Sequence, residues 1–281
     1  MPDWLTVVRN DGPLLVSIPH AGTAIPSDIE ARLLSFWLAR KDADWWLERL
    51  YGFAADLGAT VIRTAVSRTV IDVNRDPSGA SLYPGQATTG LCPTETFDGE
   101  PLYLEGCEPS DAEIARRRRD YFDPYHATVA AELARLSARH PRVVLYDCHS
   151  IRSRVPRLFT GQLPQFNVGT NDGRSCGEGL TAAVERACDA SGLSRVTNGR
   201  FKGGYITRHY GRPDAGVHAI QMELACRGYM REPSDVGGAN WPPPYSEEGA
   251  ARLGAVLRDV LAEALVWARE QPAPVPAAGV S

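Results

Sequence analysis

Val143-Val144-Leu145-Tyr146-Asp147-Cys148-His149-Ser150 is an apolar run that ends in an acid, a thiol and an imidazole. Near the N-terminus, Leu14-Leu15-Val16-Ser17-Ile18 runs in the same way into Pro19-His20-Ala21-Gly22. Short continuous apolar runs of this kind read as strands buried on both faces. Each is expected to deliver one histidine, His20 or His149, just past its C-terminal end. In open α/β sheets that edge is where ligands bind.

Working outward, strand and helix signals alternate along the chain, which argues for a layered α/β domain. Asp44 to Leu57 reads as a helix, ended by Gly58. Thr60–Arg63 and Thr69–Val73 read as two further strands. Residues 76–108 form a long segment rich in Pro, Gly, Thr and Ser, a length that inside a compact domain usually marks function. Ser110-Asp111-Ala112-Glu113 is a capping box opening a long helix, in which Pro124 is expected to force a kink or break. Residues 151–171 read as irregular, 178–190 as a helix, 217–224 as a strand and 246–270 as a terminal amphipathic helix. One domain over residues 1–270 is expected, with a disordered Pro/Ala-rich tail over 271–281.

Bulk properties exclude several classes. The chain has 281 residues, 43% hydrophobic and 23% charged, with a net charge of -4. That is an ordinary globular composition with no basic field for nucleic acid. The run Arg116-Arg117-Arg118-Arg119 falls in a helical pattern and reads as a mostly solvated face. Six scattered cysteines contain no C-x-x-C pair, so a zinc finger is not expected. Neither a signal peptide nor a membrane span is expected, which places the protein in the cytoplasm. Oligomeric state is not legible.

The chemistry sits in the histidines and carboxylates. A catalytic zinc needs three protein ligands and one open position. His20 and His149 supply imidazoles, and Asp44, with Asp42 in reserve, is the candidate carboxylate. Each has a competing structural reading: His20 as a backbone-bonded loop residue, Asp44 as a helix N-cap. Asp147 reads either as an acid orienting an imidazole or as a polar strand end. In Gln221-Met222-Glu223-Leu224, period-two alternation puts Ala219, Gln221 and Glu223 on one face. A Glu on so apolar a strand is a candidate general base, its pKa raised by desolvation. An exposed strand end is the alternative. Arg68, Asn74 and Arg75 are candidates for binding a substrate carboxylate, and Arg208 for a second one, with His209 beside it. Asp72 reads as a structural partner for an arginine. Cys148 beside His149 suggests a thiol nucleophile, but neighbours on a strand point to opposite faces.

These motifs, in this order, resemble those of the N-formylglutamate amidohydrolases. The resemblance runs from about Leu14 to Met230. It includes Ser17–Gly22, Asp42–Trp45, Ser67-Arg68 through Asn74-Arg75-Asp76, Ser81-Leu82-Tyr83-Pro84-Gly85 and Gly90–Pro93. It continues through Asp147–Ser153, Gly203–Gly211 and Gln221–Leu224. It implies a mixed sheet between helices, zinc-carboxypeptidase-like (phosphorylase/hydrolase-like), and zinc or another divalent metal. The ligands implied are His20, Asp44 and His149, with Glu223 as general base and Asn74 and Arg75 as a carboxylate clamp. The implied substrate is N-formyl-L-glutamate, a small dicarboxylate, in histidine degradation. One departure is Trp46, where relatives often carry a histidine.

Overall fold

The strand β4 (Val143–Ile151) is buried along its whole length and forms the axis of the molecule. The computed structural model describes residues 2–80, 85 and 88–270. Most of the Ser81–Gly85 motif and the expected tail from Gln271 lie outside the described residues. Among the described residues, seven strands form one mixed sheet: β1 (Leu5–Val8), β2 (Leu14–Ile18), β3 (Thr60–Thr64), β4, β5 (Phe166–Gly169), β6 (Arg195–Thr197) and β7 (Val217–Ala225). Their order is β1-β3-β2-β4-β7-β5-β6. The central β3-β2-β4-β7 block is parallel, so the C-terminal ends of β2, β4 and β7 share one edge. β1 and β5 join it antiparallel.

The helices are α1 (Ser27–Glu30), α2 (Leu47–Leu50), α3 (Asp111–Arg117), α4 (Asp123–Ser137), α5 (Glu178–Ala190), α6 (Tyr205–Tyr210) and α7 (Glu247–Glu270). Alternation along the strands divides the core. Val144, Tyr146 and Cys148 of β4 join Ile220, Met222 and Leu224 of β7 beneath α2, α5 and α7. Val143, Leu145 and Ala219 face the other way, beneath α4 and α6. Helix α7 buries Leu253, Leu257, Val260, Leu261 and Ala264, the helical-period stripe expected of it. Each large side chain so buried stabilises the fold by roughly 1.5–3 kcal/mol. No helix among the described residues is long and apolar enough to cross a membrane.

Several expectations change. Asp44–Leu57 is not one helix: Trp46 adopts a left-handed φ of 63°, so α2 starts only at Leu47, and residues 52–57 wind as a 3-10 helix. Thr69–Val73 is not a strand. Asp72 accepts the Asn74 amide on its own carboxylate at 2.9 Å, which turns the chain; Val70, Ile71 and Val73 are apolar because they are core residues. The segment read as irregular contains β5, and β1 and β6 escaped notice, being three or four residues long. Ser110 caps α3 through the Glu113 amide as expected. A π-turn over Arg118–Phe122 absorbs the disturbance ahead of Pro124. The arginine run is not wholly solvated: Arg117 is buried, donating to Glu113 and to the Val70 carbonyl.

At the opposite edge of the sheet, His218 accepts the Gly177 amide on Nδ1 at 3.1 Å, at the start of α5. Burial, then the charge of Arg142, push its pKa down from 6.5 to about 4. The folded state therefore resists a proton that the unfolded chain accepts. Stability from this group is full above pH 6.5 and falls as the pH drops towards 4. Denaturant unfolding at pH 7 and pH 5 is expected to show a smaller acid loss in His218→Gln than in the parent, by about 1–2 kcal/mol. Equal losses in the two proteins would refute the assignment.

Candidate metal centre and active site

His20 and His149 come together at the shared C-terminal edge, on the α4/α6 face of the sheet. Their ring centroids are 4.8 Å apart. His20 lies two residues beyond β2, whereas His149 still belongs to β4, which is longer than its apolar run suggests. Asp44 completes the group. One ligand atom from each of His20, Asp44 and His149 lies within 4.8 Å of the others, and all three residues are buried. The Asp44 amide donates to the His20 carbonyl at 2.9 Å, tying the two segments together.

The ring orientation follows from the outer partners. His20 Nε2 is 2.7 Å from Asp72 Oδ1, and His149 Nε2 is 2.9 Å from Asp147 Oδ2. A carboxylate oxygen accepts, so each Nε2 carries the hydrogen, which in the neutral imidazole leaves the lone pair on Nδ1. Both Nδ1 atoms face Asp44 Oδ2, at 3.9 Å and 3.3 Å. Burial opposes ionisation of Asp72, but Arg75, His20 and Arg68 outweigh it and hold the carboxyl well below its usual range. Arg68 donates to Asp72 Oδ2 at 2.6 Å, the arginine partner expected of that acid. Asp147 is anchored by the Ser17 hydroxyl at 2.8 Å, which in turn contacts Tyr125 of α4. It is the orienting acid of the two readings. The Asn74 amide is fixed by the Ile206 N–H on Oδ1 at 2.8 Å, so its Nδ2 points at the Asp147–His149 pair.

A cation fits this donor set. His20 Nδ1 and Asp44 Oδ1 are buried polar atoms with no hydrogen-bond partner. Leaving such atoms unpaired is costly. Two imidazole nitrogens and a carboxylate oxygen, each backed by a second group, match a zinc site that keeps a position open. Asp42, the reserve ligand, points elsewhere: it accepts the Phe97 amide at 2.6 Å and lies 3.4 Å from Arg152. Asp44 is not an N-cap either, since its carboxylate takes the Ser150 amide at 3.2 Å.

Glu223 stands directly beside His149 in the β4–β7 register. It is buried, so the exposed-end reading fails. Burial first, then the Asp44 and Asp147 charges, raise its pKa to about 8 against the pull of His149 and Arg68. Gln221 donates to Glu223 Oε2 at 3.3 Å and accepts the Gly204 amide at 2.7 Å. It was on the expected face, but nothing in its spacing assigned it this bridging place. Gly204 must be glycine, because a Cβ there would lie 2.3 Å from Asn74 Nδ2. Cys148 projects into the opposite core layer, and burial pushes its thiol well above the usual range, which removes the thiol nucleophile.

His20, His149, Gln221 and Glu223 line one cleft, together with Arg68, Asn74, Arg75, Phe97, Ile151, Leu158, Arg200 and Phe201.

A family model for N-formylglutamate amidohydrolase matches residues 12–230. The chain belongs to the N-formylglutamate amidohydrolase family. It is 47% identical over 272 residues to the N-formylglutamate deformylase of Pseudomonas aeruginosa, covering 96% of this chain and 99% of that protein. It is 44% identical to the N-formylglutamate deformylase of Pseudomonas putida, covering 92% and 94%. Among solved structures, the N-formylglutamate amidohydrolase of Ralstonia eutropha superposes with a TM-score of 0.75 at 25% identity, covering 94% of this chain and 96% of that one. A gene product of Agrobacterium tumefaciens shares the fold, with a TM-score of 0.71 at 19% identity over 96% and 97% of the two chains.

Arg208 and His209 are absent from the described lining of this cleft. Short α6 buries Ile206 and Tyr210, four residues apart, against the core. Arg208 Nε donates to the Gly203 carbonyl at 2.9 Å, and His209 stacks on Tyr205 at 4.8 Å. Arg200 was missed altogether: it belongs to no regular element, and no motif marks it. Trp46 also faces away, its indole donating to the Pro243 carbonyl at 3.0 Å.

Because Asp147 orients His149, Asp147→Asn is expected to weaken zinc affinity about 10–100-fold, as removal of such outer partners does elsewhere. Competition titration against a chromophoric chelator measures it. An unchanged affinity would contradict the orienting role.

Proposed function

We propose that this chain hydrolyses N-formyl-L-glutamate to formate and L-glutamate, using a divalent cation, zinc by its donor set, held by His20, Asp44 and His149. The observation that carries this reading is the buried His/Asp/His group with Glu223 beside it, in a chain closely similar to two curated N-formylglutamate deformylases. A cytoplasmic place in histidine degradation accords with it.

A cation at this position would polarise the formyl carbonyl and acidify the attacking water. The chain's own residues do the rest. Glu223 takes one proton from the water as its oxygen bonds to the formyl carbon. The C–N bond then breaks, and Glu223 returns that proton to the departing amine nitrogen. Burial, the largest cause of its raised proton affinity, lets Glu223 hold that proton long enough to pass it on. Asp72 and Asp147 keep the imidazoles aimed, so no reorganisation is needed as charge develops. Arg75 takes the substrate α-carboxylate. It leaves the same turn as Asn74, and Thr89 pins it through its carbonyl and hydroxyl oxygens, each at 3.1 Å. Arg68, already committed to Asp72 and lying 4.7 Å over Phe97, lines the same cleft.

Glu223→Gln keeps the shape and removes the base. It is expected to retain its metal and lose about 10²–10⁴-fold in kcat for formate release. Normal turnover by this variant would reject the base assignment. Dialysis against a chelator is expected to abolish formate release, and added zinc to restore it. Release that survives metal removal would reject metal dependence.

A further inference from the structure

Two chemically different sets of residues line the cleft. One is polar: His20, His149, Glu223 and Asn74. The other is Phe97, Ile151, Leu158 and Phe201, which belong to a small apolar cluster separate from the two main core layers. Arg200 packs against this apolar set. Its Nε donates to the Leu158 carbonyl at 2.8 Å, and its guanidinium lies 5.4 Å from the Phe201 ring centroid. Two neighbours that themselves line the cleft therefore set its position.

The substrate in the reading above has the same polarity. Its formyl nitrogen and α-carboxylate share one carbon, so both stay near the catalytic residues and Arg75. Its second carboxylate lies two methylenes further on. Apolar walls suit the methylenes, and only a cation beyond them makes a terminal carboxylate better than a neutral end. We infer that Arg200 binds the distal carboxylate of the substrate and sets the preference for an acidic side chain, the role the sequence pattern had given to Arg208. This rests on the deformylase reading for the reaction, though not for the binding of a dicarboxylate.

The test pairs N-formyl-L-glutamate with N-formyl-L-glutamine, its neutral isostere, and the parent protein with Arg200→Met and Arg200→Lys. The parent is expected to favour the glutamate compound. Arg200→Met is expected to raise KM for N-formyl-L-glutamate about 100-fold, the scale of a lost charged partner. Its kcat and its handling of N-formyl-L-glutamine should stay within a few-fold. Arg200→Lys should recover part of the loss. Equal impairment on both compounds would mean a structural role and overturn the assignment, as would no change on either. Calorimetric binding of L-glutamate and L-glutamine to the zinc-loaded proteins separates the two claims. If the parent releases no formate, the deformylase reading falls, and Arg200 is then judged on whether its replacement erases the preference for L-glutamate. If formate is released but Arg200→Met discriminates as the parent does, the assignment falls and the reading stands.

Discussion

Two carboxylate–imidazole pairs, Asp72 with His20 and Asp147 with His149, govern the rest of the centre. Each carboxylate takes the Nε2 hydrogen and so decides which nitrogen is left to bind. Without them, either tautomer and several ring angles would be open, and the approach of both Nδ1 atoms to Asp44 would be one arrangement among many. Both acids are buried and are held in turn. Asp72 is gripped by Arg68 and by the Asn74 amide; Asp147 by Ser17. The geometry at the centre is thus inherited from the sheet and from one tight turn.

The charge inventory points the same way. Asp44, Asp72, Asp147 and Glu223 are all buried around two imidazoles, with Arg68 as the buried guanidinium among them. Burying unbalanced carboxylates is expensive. Glu223 shows the strain in its raised pKa, for which burial is the largest cause and Asp44 the next that raises it. A divalent cation at Asp44 would relieve this excess directly. The imbalance that raises the proton affinity of Glu223 is the one such a cation would offset.

Legibility in the sequence tracked burial on both faces. β2, β4 and β7 stand out as apolar runs because they are central strands, and β7 also displays the alternation that placed Glu223 beside Gln221. His20, His149 and Glu223 drew attention because they lie at or near the C-terminal ends of these strands, and Asp44 because it was read as opening a helix that starts only at Leu47. Asp72 was read as an arginine's partner, and its hold on His20 adds to that. The Thr69–Val73 turn was misread because core burial gives a turn the same β-rich letters as a strand. Helix α2 was overextended because nothing in the letters signals the left-handed backbone at Trp46. Arg200 was not legible because it lies in a short irregular segment whose place beside the cleft is set by Leu158 and Phe201. That information is tertiary.

The most direct test of the central claim is an anomalous diffraction map of zinc-loaded crystals, recorded at the metal's absorption edge. The account requires one dominant peak within bonding distance of His20 Nδ1, a carboxylate oxygen of Asp44 and His149 Nδ1, with both Nε2 atoms still on their acids. A peak bonded through Nε2, or zinc held elsewhere with these three side chains vacant, would contradict it.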